Sequence, residues 1–181
     1  MKSVLFSFSL FLIFSFAKPK EIVYGQSADL IEQINTFNNE NITQIIEDMA
    51  KVINTKAPKV LLADELCHDL KELKKDCTIG YVGCSRLINK LNYYNKLEYI
   101  DNVSEIRILF KKLHKHFDEM QYFAQKMSKN PDRYKGRTLA FFNKKLGLVD
   151  GVQKQLQAKT KDLALINAWE EKYARSNMSD K

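Results

Sequence analysis

Proline, glycine and cysteine are all scarce in this 181-residue chain, which holds three, six and three of them. So few helix breakers and turn formers leave long stretches free to remain in one regular element. Three cysteines cannot build the dense framework of bridges that holds small loop-rich domains together, so the core must come from packing. No segment sustains the period-two alternation of a half-buried strand, which argues against a sheet. There is one long apolar run, Val4 to Phe16, and its 13 residues fall short of the roughly 20 that a membrane-spanning helix needs.

That run has a different signature. Lys2 precedes it, Ser15 and Ala17 are small residues at its end, and Lys18-Pro19-Lys20 closes it. A charged start, an apolar middle and small residues flanking a cleavage site form the layout of a secretory signal. Residues 1–17 are therefore expected to be a signal peptide cleaved before Lys18. Residues 18–26 are expected to be a short leader, 27–175 a single helical domain and 176–181 a flexible tail. The mature chain would keep 164 residues and a net charge of +6, enough for one domain with its own core. Ser176 to Lys181 has no ER-retention tetrapeptide, so the expected location is extracellular. Three Asn-x-Ser/Thr sequons begin at Asn41, Asn102 and Asn177. Glycosylation is expected at Asn41 and Asn102, which places both at the surface.

Helical periodicity fills the rest of the chain. Leu30, Ile31, Ile34, Phe37, Ile45, Ile46, Met49, Val52 and Ile53 fall three and four residues apart, with a polar interruption at Asn38-Asn39-Glu40-Asn41. A second stripe starts after Pro58 with Leu62, Leu66, Leu70 and Leu73. Cys77 to Gly83 contains two glycines and is expected to turn. A third helix is expected from about Cys84 to Tyr99, burying Leu87, Ile88, Leu91 and Leu97. The strongest pattern is the fourth: Val103, Ile106, Phe110, Leu113, Phe117, Met120, Ala124 and Met127 alternate steps of three and four, a seam of the coiled-coil type. Asn130-Pro131 ends it. A fifth helix follows from about Asp132 to Leu146 and a sixth from about Val149 to Ala174, or the two form one bent rod across Gly147 and Gly151. The fold class is all-α, an antiparallel bundle of about five to six helices.

The motifs of common enzymes are missing: no Gly-x-Ser-x-Gly elbow, no His-Glu-x-x-His pair, no phosphate-binding glycine loop. No catalytic residues and no cofactor are expected. His114 and Asp118 have the i,i+4 spacing of two metal ligands, but no third ligand is evident, so no metal site is expected. Cys67, beside Leu66 and Leu70, reads as a buried and inert thiol. Phe110, Phe117, Phe123, Tyr134, Phe141 and Phe142 either fill the core or line a pocket for an apolar ligand.

Charge is unevenly spread. Lys126 to Gly147 holds seven basic residues against Asp132 alone, whereas the segment before it, Ser104 to Gln125, sums to +1. Lys126, Lys129, Arg133, Lys135, Arg137, Lys144 and Lys145 are therefore the expected partner-binding residues, and the expected partner is a protein or another anionic macromolecule. Export disfavours nucleic acid. A solvated face with no partner is the alternative, and Trp169 is the next candidate contact.

Cys77-Thr78-Ile79-Gly80-Tyr81-Val82-Gly83-Cys84 has a cysteine, tyrosine, cysteine order. It resembles the motif of the bicycle proteins, secreted salivary effectors of aphids that act in plant tissue. That family typically carries the motif twice, and here it occurs once. A signal peptide, a helical mature chain and no enzyme motif accord with the group. If the segment turns, Cys77 and Cys84 come together in one disulfide, with Cys67–Cys84 the next pairing to consider. The resulting expectation is a secreted, non-enzymatic protein that binds a macromolecule, a salivary or host-directed effector. The alternative is an extracellular carrier of small hydrophobic ligands.

Overall fold

The computed structural model describes residues 26–37, 44, 45, 47, 59–130 and 135–179. Within them the chain is helical and contains no strand. Four α-helices occur in order: α1 (Gln26–Thr36), α2 (Lys59–Tyr93), α3 (Ile100–Lys129) and α4 (Lys135–Ser179), with a 3-10 turn at Leu97–Tyr99 between α2 and α3. Among the described residues these are four helices and not five to six, because two expected breaks are helical. Cys77 to Gly83 lies inside the 35-residue α2. Gly147 and Gly151 lie inside the 45-residue α4, which runs unbroken through the expected fifth and sixth helices.

Gly80 has a packing reason to be where it is. A Cβ built on it would lie 2.5 Å from the ring of Phe110, which is fully buried. The residue lets α3 approach α2 closely, and a helix tolerates one glycine at a cost of about 1 kcal/mol. The chain actually reverses one helix-third later, where Asn95 adopts a left-handed conformation (φ 53°). Asparagine is one of the few side chains that enters that region readily. The Lys96 N–H donates to the Leu91 carbonyl at 2.8 Å and the Asn95 N–H to that of Asn92 at 3.1 Å, closing the end of α2.

The turn sets α3 antiparallel to α2. Cys67 lies beside Gln121 and Lys74 beside Asp118, while Tyr81 lies beside Arg107. α4 runs back along α3, pairing Lys145 with Glu119 and Lys159 with Glu105. α1 packs on both α2 and α4, so the four helices enclose one core. Every position of the α3 seam, Val103 through Met127, is buried, as are Leu66, Leu70, Leu73, Leu87, Ile88 and Leu91. Leu97, also expected inward, is not buried. It falls in the 3-10 turn and is 57% exposed.

A buried polar junction ties three helices together. Glu170 on α4 is 3% exposed. Its carboxylate accepts hydrogen bonds from the Ser27 hydroxyl, from the Ser27 backbone N–H at 3.2 Å and from the Lys90 ammonium. The first N–H groups of a helix have no partner within it, so α4 supplies α1 with an acceptor from outside. The negative charge also sits at the positive end of the α1 dipole.

The continuous α2 overturns the expected disulfide. Cys77 and Cys84 are both buried and free, two helical turns apart. Seven residues at about 1.5 Å each separate them by roughly 10 Å, beyond the about 7 Å between Cα atoms that a bridge allows. Cys67 stands further back on the same helix, is free as well, and is excluded from Cys84 by the same geometry.

Candidate functional site

α3 packs against α2 on one side and α4 on the other. Its buried seam points inward, so polar residues on its remaining arc face outward or sideways. Between Ser104 and Lys129 that arc carries six cations, Arg107, Lys111, Lys112, Lys115, Lys126 and Lys129, and three acids, Glu105, Asp118 and Glu119.

The acids all lean sideways. Asp118 pairs with Lys74 of α2, Glu119 with Lys145 of α4, and Glu105 with Lys159 of α4 at 2.5 Å. The Lys74 hydrogen bond holds the Asp118 carboxyl below its usual pKa, and Lys145 does the same for Glu119. Glu105 raises that of Lys159. All three bridges are therefore ionised near neutrality. Each sums to zero, so Arg107, Lys111, Lys112, Lys115 and Lys129 give the face a positive potential.

Those cations are accessible. Lys111, Lys112, Lys115, Lys126 and Lys129 are exposed and Arg107 is half-buried. Arg107 lies over the Tyr81 ring at 5.7 Å and Lys126 over the Tyr122 ring at 4.4 Å, contacts that fix the direction of each cation. Arg107, Lys111 and Lys115 follow at steps of four, which lines them up along one side of a helix. Ile108 (51% exposed) and Tyr122 (58%) stand among them.

The residues expected to bind a partner divide. Lys126, Lys129 and Lys144 are exposed. Lys145 is half-buried, bridged to Glu119, with its ammonium 5.7 Å from the Phe141 ring. It is an interhelical tie and leaves the patch. Lys135 and Arg137 belong to the first turn of α4; their side chains, and Arg133 altogether, lie outside the described residues. Asn41 also lies outside them, as do the side chain of Asn177 and the signal-peptide and leader segments. Asn102 is in the first turn of α3 and half-buried.

Arg107, Lys111, Lys112 and Lys115 were not legible from segment charge, because summing Ser104 to Gln125 cancels them against acids that pair with lysines of other helices. On a helical wheel Glu105, Lys112, Glu119 and Lys126 follow at steps of seven on one side of α3, Lys111 and Asp118 do so on another, and Lys115 and Lys129 stand on the outermost line.

Two other regions stand out. Tyr94, Trp169 and Tyr173 form an edge-on cluster with ring centroids 4.8–6.1 Å apart, and Tyr93 extends it outward. Trp169 is half-buried there, with Lys96 6.0 Å from its ring. Three clefts follow the helix seams: one of about 410 Å³ between α1 and α2, one of 210 Å³ between α2 and α3, and one of 320 Å³ between α3 and α4. All three open to the surface. Phe110 and Phe117 are fully buried, and Phe123, Phe141 and Phe142 stack on one another at 4.3–6.2 Å.

The thiols are not activated. Burial pushes the Cys84 pKa up to about 12 and that of Cys77 still higher; burial and Asp64 push Cys67 to about 11. His114 lines the α2/α3 cleft with Lys111, while Asp118 is held by Lys74. No group of three or more metal-ligating side chains occurs among the described residues, and no described helix is long and apolar enough to cross a membrane. Compared with known protein families, curated proteins and solved structures, the chain matches none.

Proposed function

We propose that this chain is an exported, non-enzymatic binding protein whose α3 face takes an acidic macromolecular partner, in the manner of a host-directed effector. One observation carries the reading: the three acids of α3 are each bound to a lysine of a neighbouring helix, and the α3 lysines are exposed. A focused positive surface speeds encounter with an acidic one and selects against basic partners. The partner face extends beyond the α3/α4 junction, from Arg107 to Lys129, a span of about 33 Å at 1.5 Å per residue.

A carrier of apolar ligands is the second reading. Against it stands the packing of the Phe rings on each other, which uses the apolar area such a ligand would need. Export rests on the layout of residues 1–17, and N-terminal sequencing of secreted material should return Lys18.

The test of binding is a titration with poly-L-glutamate at low salt. Exposed substitutions usually cost under about 0.5 kcal/mol, so Lys111→Glu, Lys115→Glu and Lys129→Glu together should leave helicity intact. Binding should be lost in that variant. Unchanged binding would make α3 a solvated face and move attention to Trp169.

A further inference from the structure

The cleft between α3 and α4 combines two kinds of surface. Leu109 forms an apolar floor with Ile108 and Ala158 at its lip, and Lys112 and Lys159 stand on opposite walls. Lys112 makes no ion pair among the described residues, and Lys159 is held by Glu105, which also lines the cleft, and by Asp162 at 3.5 Å. Ile108 thus keeps an aliphatic side chain half in water beside two cations. At about 320 Å³ and open along one side, the space is near the lower bound of small-molecule pockets, roughly 300–1,000 Å³, which bury most of their ligand. It suits one protruding side chain better.

Resting on the anion-binding reading of the α3 face, we propose that this cleft anchors an acidic peptide segment of a partner protein, which inserts one large apolar side chain between Lys112 and Lys159. Carboxylates on either side of that residue meet Lys112 and, three residues further along the exposed arc, Lys115. Lys159 joins them when an incoming carboxylate replaces Glu105, an exchange of one carboxylate for another. A lipid surface fits less well. Interfacial binding calls for a continuous apolar helix face, whereas Ile108 and Tyr122 are separate apolar positions fourteen residues apart. The α1/α2 cleft is larger but balances Asp29 against Arg86, whereas the α3/α4 cleft is lined by two lysines against Glu105.

The experiment uses the mature chain and two fluorescein-labelled peptides, one of alternating Glu and Leu blocks and one with every Leu replaced by Ser. The Leu peptide should bind about tenfold or more tightly than the Ser peptide, as burial of one leucine implies. Ala158→Trp fills the cleft from an exposed position and should abolish that margin while sparing the Ser peptide. Ile108→Ser, which adds no bulk, should reduce the margin as well. Lys112→Glu should weaken both peptides. Equal affinity for the two peptides, or a margin untouched by both Ala158→Trp and Ile108→Ser, would overturn the anchor and leave the anion-binding face standing. Failure of both peptides to bind at low salt would overturn the two together. Tighter binding to phosphatidylserine vesicles than to the Leu peptide, insensitive to Ala158→Trp, would assign the face to lipid and also overturn the proposal.

Discussion

The α2–α3 hairpin and α4 are held by different means. α2 meets α3 through an apolar seam so close that Gly80 is needed to admit Phe110. α4 is fastened to its neighbours along its length by charged ties: Lys145 to Glu119 and Lys159 to Glu105 on α3, and Glu170 to Lys90 and Ser27 on α2 and α1. Glycine reports the same contrast, for a Cβ at Gly147 or Gly151 of α4 would meet nothing within 4 Å. Both seams bury apolar side chains, Phe142, Val149, Leu156, Leu163 and Ile166 on α4 among them, and Lys74–Asp118 ties the hairpin too. The close approach at Gly80 is particular to the hairpin and the buried Glu170 junction to α4. The ties on α4 have a functional consequence as well, since they neutralise two of the three acids of α3.

The contrast is broken most strongly at Glu170. Glu170→Ala strands the buried Lys90 ammonium and the Ser27 N–H, and removing one partner of a buried pair costs about 3–5 kcal/mol. Urea unfolding should record that loss. Next comes Gly80→Ala. Helix propensity favours alanine by up to about 1 kcal/mol, but the new Cβ would lie 2.5 Å from the buried Phe110 ring, which must shift, and overpacking costs about 1–3 kcal/mol. A net destabilisation should result, and Phe110→Leu in the same chain should be less than additive with it. Gly147→Ala and Gly151→Ala sharpen the comparison from the other side. With no contact to violate, each should stabilise by about 0.5–1 kcal/mol.

The smallest effect concerns acid. His116 on α3 has a buried Nδ1 without a hydrogen-bond partner. Burial first, then Lys145 on α4 and Lys115 and Lys112 on α3, push its pKa below the usual imidazole value, with Glu119 opposing them. The unfolded chain therefore takes up this proton at higher pH than the folded one. The contribution to stability is full above about pH 6.5 and declines as pH falls through that value toward the folded pKa. His116→Leu should flatten the stability profile across that window, and an unaltered profile would remove His116 from the account.

The apolar faces were legible from spacing alone because a buried stripe at steps of three and four has one geometric solution. Val103 to Met127 illustrates it, as do Leu66, Leu70 and Leu73. The helix ends were less legible. Gly80 and Gly83 carry the composition of a turn, yet their role is steric and depends on Phe110 and Leu30, remote in sequence. The real reversal at Asn95 contains neither glycine nor proline. Lys126, Lys129 and Lys144 stand out in local charge and are exposed. Arg107, Lys111, Lys112 and Lys115 were hidden because a sum over a segment counts acids that are bound to lysines of other helices. The tie of Lys145 to Glu119 was unreadable for the same reason, since it crosses a helix seam.

The central claim is that the outward cations of α3 meet the partner. Lysine acetylation followed by mass spectrometry, with and without poly-L-glutamate, reads that surface residue by residue. Modification should slow at Lys111, Lys112, Lys115, Lys126 and Lys129, and proceed unchanged at Lys75 and Lys172, exposed lysines of α2 and α4. Salt should erase the difference, because at about 0.15 M charges more than about 8 Å apart are screened. Equal protection of all these lysines, or protection confined to Lys75 and Lys172, would contradict the account.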